Sequence, residues 1–184
     1  MALGTYSELQ TTIASYLNRD DLTSIIPTFI TLTENRLNRE LRVRANMVRA
    51  TTTTTSGTAF YDLPSDLIQL RNITYDSNSK SFALSYLSPE SATREYGSIV
   101  SGSPRAYTNL GTNIKLSPAP DAAYTISINY FAQLRSLSDS VVTNDVLAAY
   151  PSLYLFGACL EGAIYLNDTE QTNRFGSVFV SSRV

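Results

Sequence analysis

The chain has 184 residues, 43% of them apolar, which suffices for one good core or two small ones. A formal charge of −2 gives no overall attraction to nucleic acid or to an anionic membrane, and the complete lack of histidine removes the commonest general base, the commonest metal ligand and every Ser-His or Cys-His nucleophile pair. Only 16% of residues are charged, against about 25% in an average domain, and twelve are tyrosine, so the surface is polar but sparsely charged; interface cores share this character, and compositional drift produces it equally well.

Thr5 and Glu8 have the spacing of a capping box, which predicts a first helix with Leu9, Ile13, Tyr16 and Leu17 on one face and a polar break at 18–21. A second helix is predicted from a cap at Thr23 or Ser24, with Pro27 in its first turn and a buried stripe of Ile26, Ile30, Thr33, Leu37 and Leu41. Its other side carries Arg36, Arg39, Arg42 and Arg44, with Arg49 beyond and Glu40 four residues from both Arg36 and Arg44. This is the densest basic cluster in the chain.

From residue 48 to 134 the apolar residues alternate. The β-branched run 51–55, the turn at Ser56 and Gly57, and Phe60 with Tyr61 read as a hairpin. Strands at 70–75 and 82–86 flank the polar tract 76–80 as a second hairpin, and Ser88, Pro89 and Glu90 begin a short helix that Gly97 ends. Segments 104–110 and 114–116 form a third hairpin around Gly111, and 124–130 is the clearest half-buried strand, with Tyr124, Ile126, Ile128 and Tyr130 on one face. The opposite face of that strand is expected to be wet or to lie against a partner.

Helical spacing returns at 145. Segments 146–150 and 151–166 are predicted helical, with Gly157, Ala158, Gly162 and Ala163 permitting close helix approach, and Asp168 caps a last helix bearing Phe175, Val178 and Phe179. The apolar stretch 146–166 contains Pro151 and Glu161 and reads as a buried helix, so no membrane span is expected. The first nine residues lack the features of a signal peptide, and folding in the cytoplasm is expected. The predicted fold class is α+β: helices from 1–46 and 145–184 pair into one discontinuous bundle, because short amphipathic helices gain most of their stability from packing, and 47–144 forms an inserted antiparallel β-sheet or sandwich domain.

No catalytic constellation is present, and no cofactor or metal site is expected. Asp20 with Asp21 and Asp62 with Asp66 stand where capping and turn formation account for them. Cys159, between Ala158 and Leu160, reads as a small buried hydrophobe. Gly97, Gly102 and Gly111 stand singly and form no phosphate-cradling loop. The arginine cluster has three readings: salt links to a neighbouring subunit, a solvated helix face, or phosphate contacts of a DNA-binding accessory protein using residues 36–49. A ligand-binding role for the β domain is a further alternative.

The segments TYSELQTTIASYLNRDDLTSIIPTFITLTENRLNRELRVR, LPSDLIQLRNI, GSPRAYTNLGTNIKLSPAPDAAYTISINYFAQLRSLSD and NDVLAAYPSLYLFGACLEGAIYLND together resemble the head-to-tail adaptor, or connector, proteins of tailed bacteriophages of the short-tailed type. The order of helical start, PSDL turn, PR-Y strand, PAPD turn and YPSLYLFG helix carries the likeness. The resemblance implies a non-enzymatic structural virion protein, made in the host cytoplasm, that forms a dodecameric ring. Such a ring lies between the portal protein and the tail nozzle or tail tube, joins after DNA packaging, extends the channel and helps retain the genome, with DNA passing without sequence specificity and no membrane involved. Mapped here, Arg36, Arg39, Arg42 and Arg44 would face neighbouring subunits or the channel, and Phe175, Val178 and Phe179 would approach the portal.

Overall fold

A computed structural model describes residues 3–40, 46–77 and 79–182. The described chain has an α+β fold and divides into two compact units, one holding the residues through Asn46 and from Gln133 onward, the other Met47–Ala132.

In the helical unit, α1 (Tyr6–Leu17) starts at the Thr5/Glu8 capping box, with both reciprocal hydrogen bonds made, and ends at Asn18 in the left-handed conformation. Helix α2 is Ile26–Glu40. Thr23 does not cap it: its hydroxyl donates to the Asp20 carbonyl, and a turn in which the N–H groups of Ile25 and Ile26 reach the Leu22 carbonyl leads into the helix. The last three helices are α4 (Asp145–Ala149), α5 (Pro151–Tyr165) and α6 (Thr169–Ser181), α6 being capped by Asp168. Helix α5 is the hub, packing on α1, α2, α4 and α6. It is apolar over most of its circumference because its middle is surrounded: Tyr154, Ala158, Cys159 and Ala163 are fully buried. Its glycines are contact points. A Cβ on Gly157 would lie 2.4 Å from the Thr33 γ-methyl and 3.1 Å from the Phe179 ring, and one on Gly162 would lie 2.6 Å from a Leu17 δ-methyl.

Residues 133–144, assigned by the sequence reading to the β module, belong to this helical unit. Leu134 and Leu137 lie in its core. The segment has no strand partner, and its backbone donors are taken by α2: Asn38 Oδ1 accepts from the Leu134 N–H at 2.8 Å and Glu34 Oε1 accepts from the Leu137 N–H at 2.8 Å. Glu34 is only 2% exposed. The Tyr154 hydroxyl donates to Glu34 at 3.3 Å and accepts from the Asn144 side-chain amide at 2.6 Å, while that amide also donates to the Arg135 carbonyl. Asn144 Oδ1 in turn caps α4 through the Leu147 N–H. A single polar chain therefore joins α2, the 133–144 segment, α4 and α5. Burial raises the pKa of the Glu34 carboxyl, and the hydrogen bonds from Leu137, Ser136 and Tyr154 hold it part of the way back.

The β unit is two four-stranded sheets sharing one core. One sheet has the order β1 (Met47–Thr53), β8 (Thr125–Ala132), β3 (Leu67–Ser77), β4 (Lys80–Ala83), all antiparallel. The other is β2 (Phe60–Asp62), β7 (Asn113–Ser117), β6 (Ala106–Leu110), β5 (Ser85–Tyr86), with β5 parallel to β6. Ile73, Ile126 and Ile128 from the first face Ile114 and Leu116 from the second. The hairpins 70–83 and 106–117 form where expected, the latter turning at Gly111 with φ of 66°. The proposed 51–61 hairpin does not form. β1 instead pairs along its whole length with β8, and the turn at Gly57, whose N–H reaches the Pro120 carbonyl, carries the chain into the other sheet. The predicted strand 82–86 also divides at Leu84, which is buried and passes the chain from β4 to β5. Helix α3 (Pro89–Tyr96), capped by Ser88, packs on β6. The outer face of β8 is partly covered by its own unit: Arg49 donates to the Ser127 hydroxyl at 2.7 Å, and Ser127 is fully buried.

Two expectations follow. Gly157→Ala places a methyl against a stiff, buried threonine, so an overpacking cost of about 1–3 kcal/mol outweighs the helix preference for alanine of about 1 kcal/mol; Gly162→Ala meets a movable leucine methyl and should be near neutral. Thermal denaturation of the two variants reads the difference, and equal stability would refute the close contact at Thr33. Glu34 has its folded-state pKa above the ordinary carboxyl value of 4.5, so the native state holds more protons than the unfolded chain just above that value. Stability from this group is greatest below the ordinary value and declines as pH rises through the raised one. Glu34→Gln keeps the acceptor and should flatten that decline, whereas Glu34→Ala leaves the Leu137 N–H without its acceptor and should cost about 1–3 kcal/mol. Denaturant unfolding between pH 4 and 8 measures both, and an unchanged slope for Glu34→Gln would show that the carboxyl titrates elsewhere.

Candidate functional site

The arginines of α2 do not form one free face. Arg36 lies where α2 meets α5 and α6: its guanidinium pairs with Glu161 of α5 and stands 6.0 Å from the centre of the Phe179 ring. With side-chain exposures of 27% and 12%, this pair is screened less than a surface ion pair. Arg36 therefore braces α2 against α5 within the helical unit while part of its side chain stays open to solvent. The spacing along α2 gave no sign of this because the partner stands 125 residues away in sequence. Arg39 is exposed on α2. Arg42 and Arg44 lie outside the described residues. Arg49 belongs to the β unit, where it braces Ser127. The dense basic cluster read along the sequence is thus divided among different structural roles.

The C-terminal candidates divide in the same way. Phe175 and Phe179 are 4% and 0% exposed and belong to the core of the helical unit, so neither ring is available for docking in this fold. Helical periodicity places them on the face of α6 that turns to α5, where Gly157 and Gly176 allow the close approach. Val178 is half-buried and Val180 is 60% exposed, so the outward apolar character of α6 rests on these two. Other large apolar or aromatic side chains open to solvent among the described residues of the helical unit are Tyr16, Leu32, Val142, Tyr150, Ile164 and Tyr165.

The paired carboxylates are structural. Asp21 receives two hydrogen bonds from Arg19 at 2.6 and 2.7 Å, which hold its carboxyl below the usual range. Asp62 accepts from the Asn113 amide across the β2–β7 pair, and Asp66 accepts from the Tyr130 hydroxyl at 3.0 Å. No group of three or more Cys, Asp or Glu among the described residues could hold a metal ion. Cys159 is fully buried, and burial pushes its thiol up to about 12, far from the thiolate that a nucleophile requires. Tyr154 is raised likewise by burial, with Glu34 adding to the effect. No described helix is long and apolar enough to cross a membrane.

Clefts open on the described part of the β unit, among them two of more than 300 Å³. One, of about 370 Å³, lies at the turn end of the β6–β7 hairpin and is lined by Asp62, Leu63, Pro64, Leu67, Gly111 and Thr112. The other, of about 330 Å³, lies between α3 and β7 beside Tyr96, Ile99 and Pro118. Neither gathers an acid, a base and a nucleophile. The surface offers contact chemistry: apolar and tyrosine side chains, a few fixed charges and shallow clefts.

A search of curated proteins finds no match to the chain. The family model of the SU10 adaptor protein matches residues 4–179, running through the helical start, the whole β unit and the returning helices as far as Phe179. With that match along nearly its full length, the chain belongs to the SU10 adaptor protein family, a family of bacteriophage head-to-tail adaptors.

Proposed function

We propose that this structural phage adaptor assembles as a dodecameric ring that joins the portal to the tail nozzle or tube and extends the channel through which DNA passes. The observation that carries the reading is the family match across both units, residues 4–179, rather than across one of them. Support comes from the surface. Charge is sparse, and exposed Tyr16, Leu32, Ile164, Tyr165 and Val180 give the helical unit apolar and aromatic contact points of the kind enriched where subunits meet. Arg39, Arg42 and Arg44 are the arginines assigned to neighbouring subunits or to the channel wall, where phosphate contacts independent of base sequence suffice. Portal docking is assigned to Val178 and Val180 of α6. Arg36 is assigned instead to bracing α2 against α5 through Glu161.

Mass photometry of the purified chain, alone and with the portal ring of its phage, tests the proposal. A portal-dependent rise to a complex carrying a full ring of 20.2 kDa subunits is the expected result. A chain that remains monomeric and ignores the portal would refute it.

A further inference from the structure

The strands of the β1–β8–β3–β4 sheet carry three cations, Arg49, Arg71 and Lys80, and one carboxylate, Asp76, although the whole chain has a formal charge of −2. Both arginines stand on the face turned away from the core. Arg49 reaches it by ordinary alternation: its neighbour Ala50 packs on the core side, and the Arg49 guanidinium donates to the Ser127 hydroxyl at 2.7 Å. Arg71 reaches it through a β-bulge. Leu70 pairs with Tyr130 and Asn72 with Asn129, which leaves Arg71 as an extra residue of β3. In a regular strand Arg71 would share a face with Ile73, which is fully buried in the core. The bulge instead turns Arg71 and Asn72 outward together, and the Arg71 guanidinium stands 5.8 Å from the centre of the Phe131 ring.

The two arginines therefore flank β8 at one level. Asn129 pairs with Arg49 on one side and with Asn72, next to Arg71, on the other, so the arginine backbones are two strand spacings apart, about 10 Å. Between them the Asn129 amide donates to the Asn72 amide oxygen at 2.9 Å, and Thr51 and Thr53 continue the exposed polar surface along β1. Asp76 lies on the same face but four residues beyond Asn72, about 13 Å along β3. Among the described residues neither arginine forms an ion pair. The Ser127 contact uses one of the five N–H donors of Arg49, and the ring contact of Arg71 uses its charge and not its donors. Both groups are thus held against the sheet with donors left for a ligand.

This combination suits an anion, and phosphate better than the carboxylates of a protein. Protein interface cores are built on apolar and aromatic anchors, whereas the exposed apolar side chain of this face, Met47, lies at its corner. Guanidinium forks with amides and hydroxyls beside them are the groups that take DNA backbone phosphates without reading bases. We propose that the outer face of this sheet, with Arg49 and Arg71 flanking Asn72 and Asn129, contacts the phosphodiester backbone of duplex DNA. The identity of the polyanion rests on the channel reading above.

The test is an NMR titration of the isotope-labelled full chain with a short DNA duplex of mixed sequence at low salt, which needs no ring. Shift changes should centre on Arg49, Arg71, Asn72 and Asn129. In the Arg49→Gln/Arg71→Gln double variant the slope of log affinity against log salt should fall by about 1.8, at roughly 0.9 per phosphate contact removed. Arg71→Gln alone, which takes no hydrogen bond from Ser127, should lose about half of that, and it decides the matter if the double variant is unfolded. Shift changes centred elsewhere, or none, would overturn the proposal. So would equal changes with polyglutamate, which would mark the face as a site for an acidic protein. DNA binding at this face by a chain that forms no ring on the portal would support the site and refute the ring, so the two readings can fail separately.

Discussion

A chain that leaves a helical bundle, builds a separate sheet unit and returns must fix the point of return, and here a buried carboxylate does so. Glu34 accepts the Leu137 N–H and the Tyr154 hydroxyl, and Asn38, one helical turn further along α2, accepts the Leu134 N–H. The returning segment has no sheet or helix of its own to satisfy its donors, so without α2 those groups would be buried unpaired, at a cost of about 1–3 kcal/mol each. Asn144 continues the chain of hydrogen bonds to the start of α4, which leads directly into α5. The position of the central helix, and of the α1, α2 and α6 surfaces that close on it, follows from that capture.

Close packing around α5 depends on the same register. Gly157 meets Thr33, the neighbour of Glu34 in sequence, and the ring of Phe179. Arg36, one turn beyond Thr33, pairs with Glu161, one turn beyond Gly157. Polar capture, glycine contact and ion pair thus all lie between α2 and α5. A shift of one residue in either helix would break all three together, so the register of α2 on α5 is fixed by several contacts at once.

Local signals in the sequence predicted local structure well. The Thr5/Glu8 capping box, the Gly111 turn and the small residues of α5 each state their role within a few neighbours, and each is found in that role; the alternation at 124–130 marks a strand, but one buried on both faces and not half-buried. What failed depended on distant partners. The run 51–55 had the composition of a hairpin strand, but its partner is β8, some seventy residues away, because seven residues can pair there and only three at β2. Arg36 was indistinguishable from Arg39 until α5 supplied Glu161. Phe175 and Phe179 lay four residues apart on one helical face, a spacing that signals burial as readily as docking. Glu34 carried a readable sign that was missed: it lies four residues after Ile30 and three before Leu37, on the apolar stripe itself, where a carboxylate requires hydrogen-bond partners.

The two units differ in construction. The helical unit supplies a frame braced by buried polar contacts, and the β unit presents a sheet face flanked by arginines and open clefts. A cryo-electron microscopy reconstruction of the neck region of the phage particle tests the central claim most directly. The account predicts density for this chain as a closed ring between portal and tail, into which the helical and β units each fit without rearrangement; finding the chain elsewhere in the particle, or absent from it, would contradict the account.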